Sequence, residues 1–154
     1  MAGDERLNEA WTALMSLFVD RRDEMFRVLG DNGLTPPHGH ALSVLLEEPQ
    51  RMSDIASFMN CDASYITALV DRLEEQSMVE RTPNPADRRV KLIALTDVGR
   101  KVAAEIRAVM TTPPAELRKL SKADRAALAD LLAKVVPPGS TPDPFRKSTV
   151  GARR

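Results

Sequence analysis

The residues best equipped for chemistry gather in one short stretch. Residues 82–95 read TPNPADRRVKLIAL. Pro83 and Pro85 fix their own φ angles and remove two backbone donors, so the segment is a stiff loop that cannot zip into a longer ladder. Asp87, Arg88 and Arg89 then set one carboxylate and two guanidiniums near its tip. A guanidinium stays charged, carries five donors in a rigid fork, and fits phosphate or the negative potential of a narrow groove in duplex DNA. Asp87 is expected to hold one of the arginines in an ion pair, limiting the rotamers lost on binding. The chemistry on offer is anion capture. A solvated charged turn has the same composition, so the elements before the loop must decide.

Other chemically capable residues do not converge. The sequence has no phosphate-cradling glycine loop, no HExxH and no nucleophile elbow, and no enzyme is expected. Glu47-Glu48 and Glu74-Glu75 are adjacent pairs that splay apart on a helix surface. His38 and His40 are two apart on an expected helix and point in different directions. Neither a metal site nor a cofactor is expected from them. His38 is instead a candidate lining residue of an effector cavity. Cys61 is the single cysteine, so it forms no internal disulfide. It reads as a small core hydrophobe, the alternative being a redox-responsive thiol beside a helix N-terminus.

The bulk numbers are those of an ordinary globular chain: 154 residues, 43% apolar and 29% charged. One domain over 1–136 is expected. No stretch approaches the roughly 20 apolar residues that span a bilayer, so no membrane partner is expected. The opening MAGDERLNEAW is too acidic and polar for a signal peptide, and a cytoplasmic location follows as the expectation. Net charge is zero but unevenly spread. Residues 81–101 set Arg81, Arg88, Arg89, Lys91, Arg100 and Lys101 against Asp87 and Asp97, a local +4. Residues 137–154 are rich in Pro, Gly and Ser, carry a net +3, and read as a disordered basic tail.

The positioning elements are mostly helical. Leu7, Trp11, Leu14, Phe18, Met25 and Val28 recur in steps of four and three, with Arg21 in the one missing place. That heptad-like stripe predicts a helix over about 4–30, stopped by Asp31-Asn32-Gly33. Thr35 and Pro36 suit the cap and first position of a second helix. Ser53 is expected to cap a short third helix, Asn60 to take a left-handed turn, and Asp62 to cap a fourth. The fourth buries Ile66, Leu69, Val70 and Leu73 at helical spacing and leaves Ser64, Thr67, Ala68, Asp71 and Arg72 on the other face. Two helices joined by about three residues form a helix-turn-helix. The period then changes to two, predicting strands over 78–82 and 89–95 about the stiff loop. A hairpin at that place is a wing. Thr96-Asp97 start a helix broken by Pro113-Pro114, and Ser121 with Asp124 start a last one. The fold class is mainly α with a small β-hairpin wing.

LTPPHGHALSVL, MSDIASFMNCDASYITALVDRLEEQSMVER and above all PADRRVKLIALTDVGR resemble the MarR family of winged helix-turn-helix transcription regulators. The family's wing signature is matched by Asp87, Arg89, Leu95, Thr96 and Gly99. The resemblance implies a homodimer that binds a pseudo-palindromic double-stranded DNA operator, as a repressor released by a small aromatic or phenolic ligand. It places the winged lobe at about 34–96 and dimerisation helices at about 4–30 and 97–136. Carried over by position, Ala63, Ser64, Tyr65, Thr67 and Ala68 face the major groove. Arg72 contacts phosphate, and Arg89 with Arg88 and Asp87 serve the flanking minor groove. Leu7, Trp11, Leu14 and Phe18 at one end and Leu128, Leu131 and Leu132 at the other are the dimerisation candidates. Trp11 and His38 are the effector-pocket candidates. The chain departs from the family pattern at Ala68, where relatives often carry arginine, and at Cys61, where they usually carry an apolar residue. A winged helix that binds protein instead of DNA is the alternative from another class.

Overall fold

The computed structural model describes residues 2–136; the expected basic tail lies outside the described residues. Helix α1 (Ala2–Asp31) runs 30 residues, about 45 Å at 1.5 Å per residue. It stops as its turn residues predict. Gly33 takes φ +64°, and the Leu34 N–H turns back to the Leu29 carbonyl at 2.8 Å. Helix α2 (Pro36–Leu45) begins with Thr35 as an extended N-cap and Pro36 in the first position. Its run from Ala41 to Leu45 is buried throughout.

Strand β1 (Gln50–Arg51) runs directly into α3 (Met52–Met59). This corrects two expectations. The third strand was not foreseen, and Ser53 is not the cap, because Arg51 occupies that position. Pairing with the second hairpin strand holds residues 50–51 extended, and the helix can begin only after them. Asn60 takes φ 51°, ψ 47°, the expected left-handed turn. Helix α4 (Ala63–Glu75) follows, with Asp62 as its N-cap residue though without a side-chain capping bond. Strands β2 (Val79–Pro83) and β3 (Lys91–Leu95) complete an antiparallel sheet in the order β1-β3-β2. Ile93 stands opposite both Gln50 and Arg81.

Ile55, Ile66, Leu73, Leu42, Ile93 and Ile106 are fully buried and share one core. They come from α3, α4, α2, β3 and α5 (Asp97–Thr111), so each element buries one face on the others. Val28 and Leu29 at the end of α1 join the same cluster.

The start of α5 is bolted to the α4–β2 turn. The Thr96 N–H donates to the Met78 carbonyl at 3.1 Å and the Thr96 hydroxyl donates to the Ser77 carbonyl at 2.7 Å. The same hydroxyl accepts from the Gly99 N–H at 3.1 Å, capping the helix. A Cβ on Gly99 would lie 1.8 Å from the Met78 carbonyl oxygen. The glycine therefore permits a backbone approach that no other residue allows.

The rest of the chain is differently built. Helix α6 (Ala115–Arg118) is one turn, and α7 (Lys122–Val135) follows with the expected Ser121 cap accepting from the Asp124 N–H at 3.1 Å. No residue of α7 is buried. The N-terminal part of α1 is equally bare: Leu7, Trp11 and Phe18 are 67%, 59% and 58% exposed. Large apolar residues at helical spacing are thus left exposed among the described residues, on both terminal helices.

Candidate nucleic-acid interface

Helix α4 turns its apolar face into the core and its other face out. Ala63, Ser64, Tyr65, Thr67, Ala68 and Arg72 are all exposed, as expected of a helix that reads a groove. Two details sharpen that surface. The Thr67 hydroxyl donates to the Ala63 carbonyl at 2.8 Å, which commits its proton within the helix and leaves its methyl and a lone pair outward. A methyl at this place, beside Ala68, suits contact with the C5-methyl of thymine. Arg72 pairs with Glu75 at 3.1 Å on the open surface, a contact weak enough to exchange for phosphate.

The wing tip is more ordered than its prolines alone require. The Asn84 N–H meets the Val90 carbonyl at 2.9 Å, closing the loop. The Asn84 side chain, nearly buried, accepts from the Ala86 N–H at 2.9 Å. Asp87 corrects an expectation. Its carboxylate forms no ion pair with either neighbouring arginine among the described residues; it accepts the Arg89 backbone N–H at 3.0 Å. Asp87 therefore shapes the backbone as an Asx turn. The Arg88 and Arg89 side chains stay exposed. The sequence signal for this was present in Asn84 and Asp87, both turn-forming residues two positions before the amides they bind.

Cys61 sits in the turn between α3 and α4, half-buried against the core, with its thiol 3.3 Å from the Met59 carbonyl. That agrees with the core reading. Among the described residues no group of three His, Cys, Asp or Glu side chains could hold a metal, and no helix is long and apolar enough to cross a membrane.

His38 has a role the sequence did not reveal. Its Nδ1 accepts from the Thr35 N–H at 3.3 Å and lies 2.7 Å from the Thr35 hydroxyl, so it closes the N-terminus of α2. Burial, and then the charge of Arg72, hold its pKa below the ordinary histidine value; burial does the same for His40, which meets Phe58 edge-on at 5.4 Å. In the unfolded chain both titrate near about 6.5. As pH falls the unfolded state binds protons first, so this stability is whole above about 6.5 and lost as pH drops through the lower folded values. His38→Gln keeps a capping side chain that cannot titrate. Urea midpoints measured from about pH 7.5 to about pH 5 should fall less in this variant than in wild type, with His40 supplying the remaining slope. An unchanged or steeper slope would refute the assignment.

A cavity of about 330 Å³ opens between α1 and α5, lined by Phe18, Arg21, Arg22, Met25, Phe26, Pro36, Val109 and Met110. Arg21 donates to Glu24 and to the Thr112 carbonyl across its edge. The two expected pocket residues, Trp11 and His38, are not among the lining residues.

An exposed helix of a helix-turn-helix, a three-stranded sheet and a cationic hairpin tip beside it define the class: a winged helix-turn-helix protein. Residues 34–91 match the model of the MarR family, and the chain belongs to that family. Over 99 residues it is 32% identical to the HTH-type transcriptional repressor MdtR of Bacillus subtilis, the match covering 64% of this chain and 64% of MdtR. It thus spans just under two thirds of that relative. The crystal structure of the YusO protein from Bacillus subtilis is similar with a TM-score of 0.72 at 30% identity, over 86% of this chain and 95% of YusO. CouR from Rhodococcus jostii RHA1, crystallised with p-coumaroyl-CoA, is similar with a TM-score of 0.54 at 28% identity, over 82% of this chain and 90% of CouR. The named relatives accord with the expectation that the chain is not an enzyme.

Proposed function

We propose that the protein is a sequence-specific, DNA-binding transcription regulator that acts as a homodimeric repressor and is released by a small-molecule effector. One observation carries the reading. The exposed face of α4 and the exposed Arg88 and Arg89 of the wing belong to one lobe, in which the wing's strand β2 packs against α4. The helix offers short polar and methyl groups to major-groove base edges, and the wing offers guanidiniums to the adjacent minor groove.

The bare apolar faces of α1 and α7 support a second copy as partner. Two copies would present their recognition helices to successive major grooves, about 34 Å apart. The cavity between α1 and α5 supports an effector site, because a ligand there would wedge the long helices against the winged lobe. Such a ligand acts only by binding one spacing better than the other. CouR, with its bound p-coumaroyl-CoA, makes an aromatic ligand a reasonable first screen.

The test is selection of bound sequences from a random duplex library at near-physiological salt. An inverted repeat with half-sites about 10 base pairs apart is expected. On the selected operator, Arg89→Ala should weaken binding by about tenfold or more, reduce the slope of log affinity against log salt by about one, and leave the thermal midpoint unchanged. If Arg89→Ala binds as tightly as wild type, the wing is not a DNA probe. If the folded protein enriches no sequence, the winged lobe binds another kind of partner.

A further inference from the structure

Resting on the DNA-binding reading, we propose that Arg81 is a positioning residue that fastens the wing to the recognition helix, so that both engage DNA as one rigid unit. Arg81 is the third residue of β2, opposite Ile93. Its side chain leaves the strand and reaches back to α4. One guanidinium nitrogen meets the Asp71 carboxylate and another meets the Glu74 carboxylate. Asp71 and Glu74 are three apart, on one side of the helix, so a single forked cation spans two successive anchor points. Lysine, a single compact charge, does not reproduce that geometry.

The placement of the tie matters more than its strength. Apolar packing of Val79, Ile93 and Leu95 fixes the base of the hairpin in the core. The loop beyond β2 has no such packing: residues 85–89 are exposed. Arg81 lies between base and tip, where the pull of Asp71 and Glu74 sets the angle at which the hairpin leaves the helix. Arg88 and Arg89 sit at the end of that lever.

The same contact removes an electrostatic fault. Helix α4 carries Asp71, Glu74 and Glu75 against Arg72 alone, a net charge of −2 on the element that must approach a polyanion. Arg72 is paired with Glu75, and Arg81 covers the other two carboxylates. With Arg81 in place those carboxylates serve as anchors. Without it they would repel the phosphate backbone.

Two measurements separate positioning from general structural support. The first needs no DNA. Residual dipolar couplings of the wing-tip amides, between residues 84 and 90, should fit one alignment frame with those of α4 in wild type. In Arg81→Gln they should be averaged towards zero, while those of α2 and α5 are retained. Retained wing-tip couplings in Arg81→Gln would overturn the proposal. The second is a double-mutant cycle on the selected operator. Arg81→Gln alone should weaken binding about tenfold, whereas adding it to Arg89→Ala should cost no more than about a further twofold, the share of the uncovered Asp71 and Glu74 carboxylates, since a misaimed wing has already lost its probe. Full additivity would show that Arg81 acts through stability or charge, and would also overturn it. If wild type binds no DNA at all, the DNA-binding reading fails while the first measurement still decides whether Arg81 fixes the hairpin.

Discussion

Gly99→Ala should destabilise the protein by about 2–4 kcal/mol, measured as the shift in urea unfolding at constant m. The substitution would raise helix propensity by about 1 kcal/mol at a helical site, so the expected sign runs against propensity. The clash decides it. The new Cβ would lie 1.8 Å from the Met78 oxygen and 2.7 Å from its carbonyl carbon, and both atoms are backbone. No rotamer change relieves that contact. Helix α5 must lift from the α4–β2 turn, and the Thr96 bonds to Met78 and Ser77 go with it. Gly30 supplies the control, because a Cβ there meets nothing within 4 Å. Gly30→Ala should be neutral or stabilising by up to about 1 kcal/mol. If the two variants unfold at the same urea concentration, the close approach at Gly99 is wrong. The effect reaches function as well, since α5 connects the winged lobe to the long helices and the joint at Gly99 sets where that lobe sits.

The second large effect is expected at the unpartnered apolar face. Trp11→Glu should convert a dimer into monomers at micromolar concentration, seen by sedimentation equilibrium, with operator affinity reduced by about a hundredfold or more. A buried aromatic anchor at an interface is worth about 2 kcal/mol or more, and two-fold symmetry counts each change twice, so a loss of about a thousandfold in the dimer constant is reasonable. Trp11 is 59% exposed in its own chain, so the change costs that chain little. Leu132→Glu on α7, 44% exposed, should behave the same way. A wild-type protein that sediments as a monomer and still protects both half-sites would defeat the dimer reading. So would a Trp11→Glu variant that stays dimeric. Neither substitution touches α4 or the wing, so a loss of affinity here reports assembly.

The proposals for Arg81 and for the apolar face make different demands on the wing arginines. A monomer with an intact Arg81 tie should retain weak, salt-sensitive binding to a single half-site. A dimer without the tie should keep its assembly and lose wing contacts. The two classes of variant are therefore distinguishable by sedimentation before any operator is known.

The winged lobe was largely legible in the sequence, because its signals are local. Ile66, Leu69, Val70 and Leu73 fall at helical spacing and are all buried. Asn60 takes the left-handed turn, and Thr35, Thr96 and Ser121 stand at the helix starts expected of them. Each of these choices is made by a residue and its neighbours within about one helical turn. The exposure of Ala63, Ser64, Tyr65, Thr67 and Ala68 on the outward face follows from the same periodicity.

The tertiary structure decided what depends on residues distant in the chain. Strand β1 is two residues long, too short to show a period, and exists because β3 lies beside it. Ser53 lost its cap to that pairing. Asp87 and Arg89 are suited to an ion pair by type, yet the loop turns the carboxylate onto the Arg89 backbone amide instead. Arg81 finds its carboxylates seven and ten positions back, across an element boundary that sequence spacing does not describe. The signature glycine at position 99 was visible as a letter, but its reason is a carbonyl twenty-one positions earlier. Local backbone preference and periodic burial are written along the chain and can be read from it. Which donor meets which acceptor is set by how the finished elements lie against one another, and that is a property of the packed core.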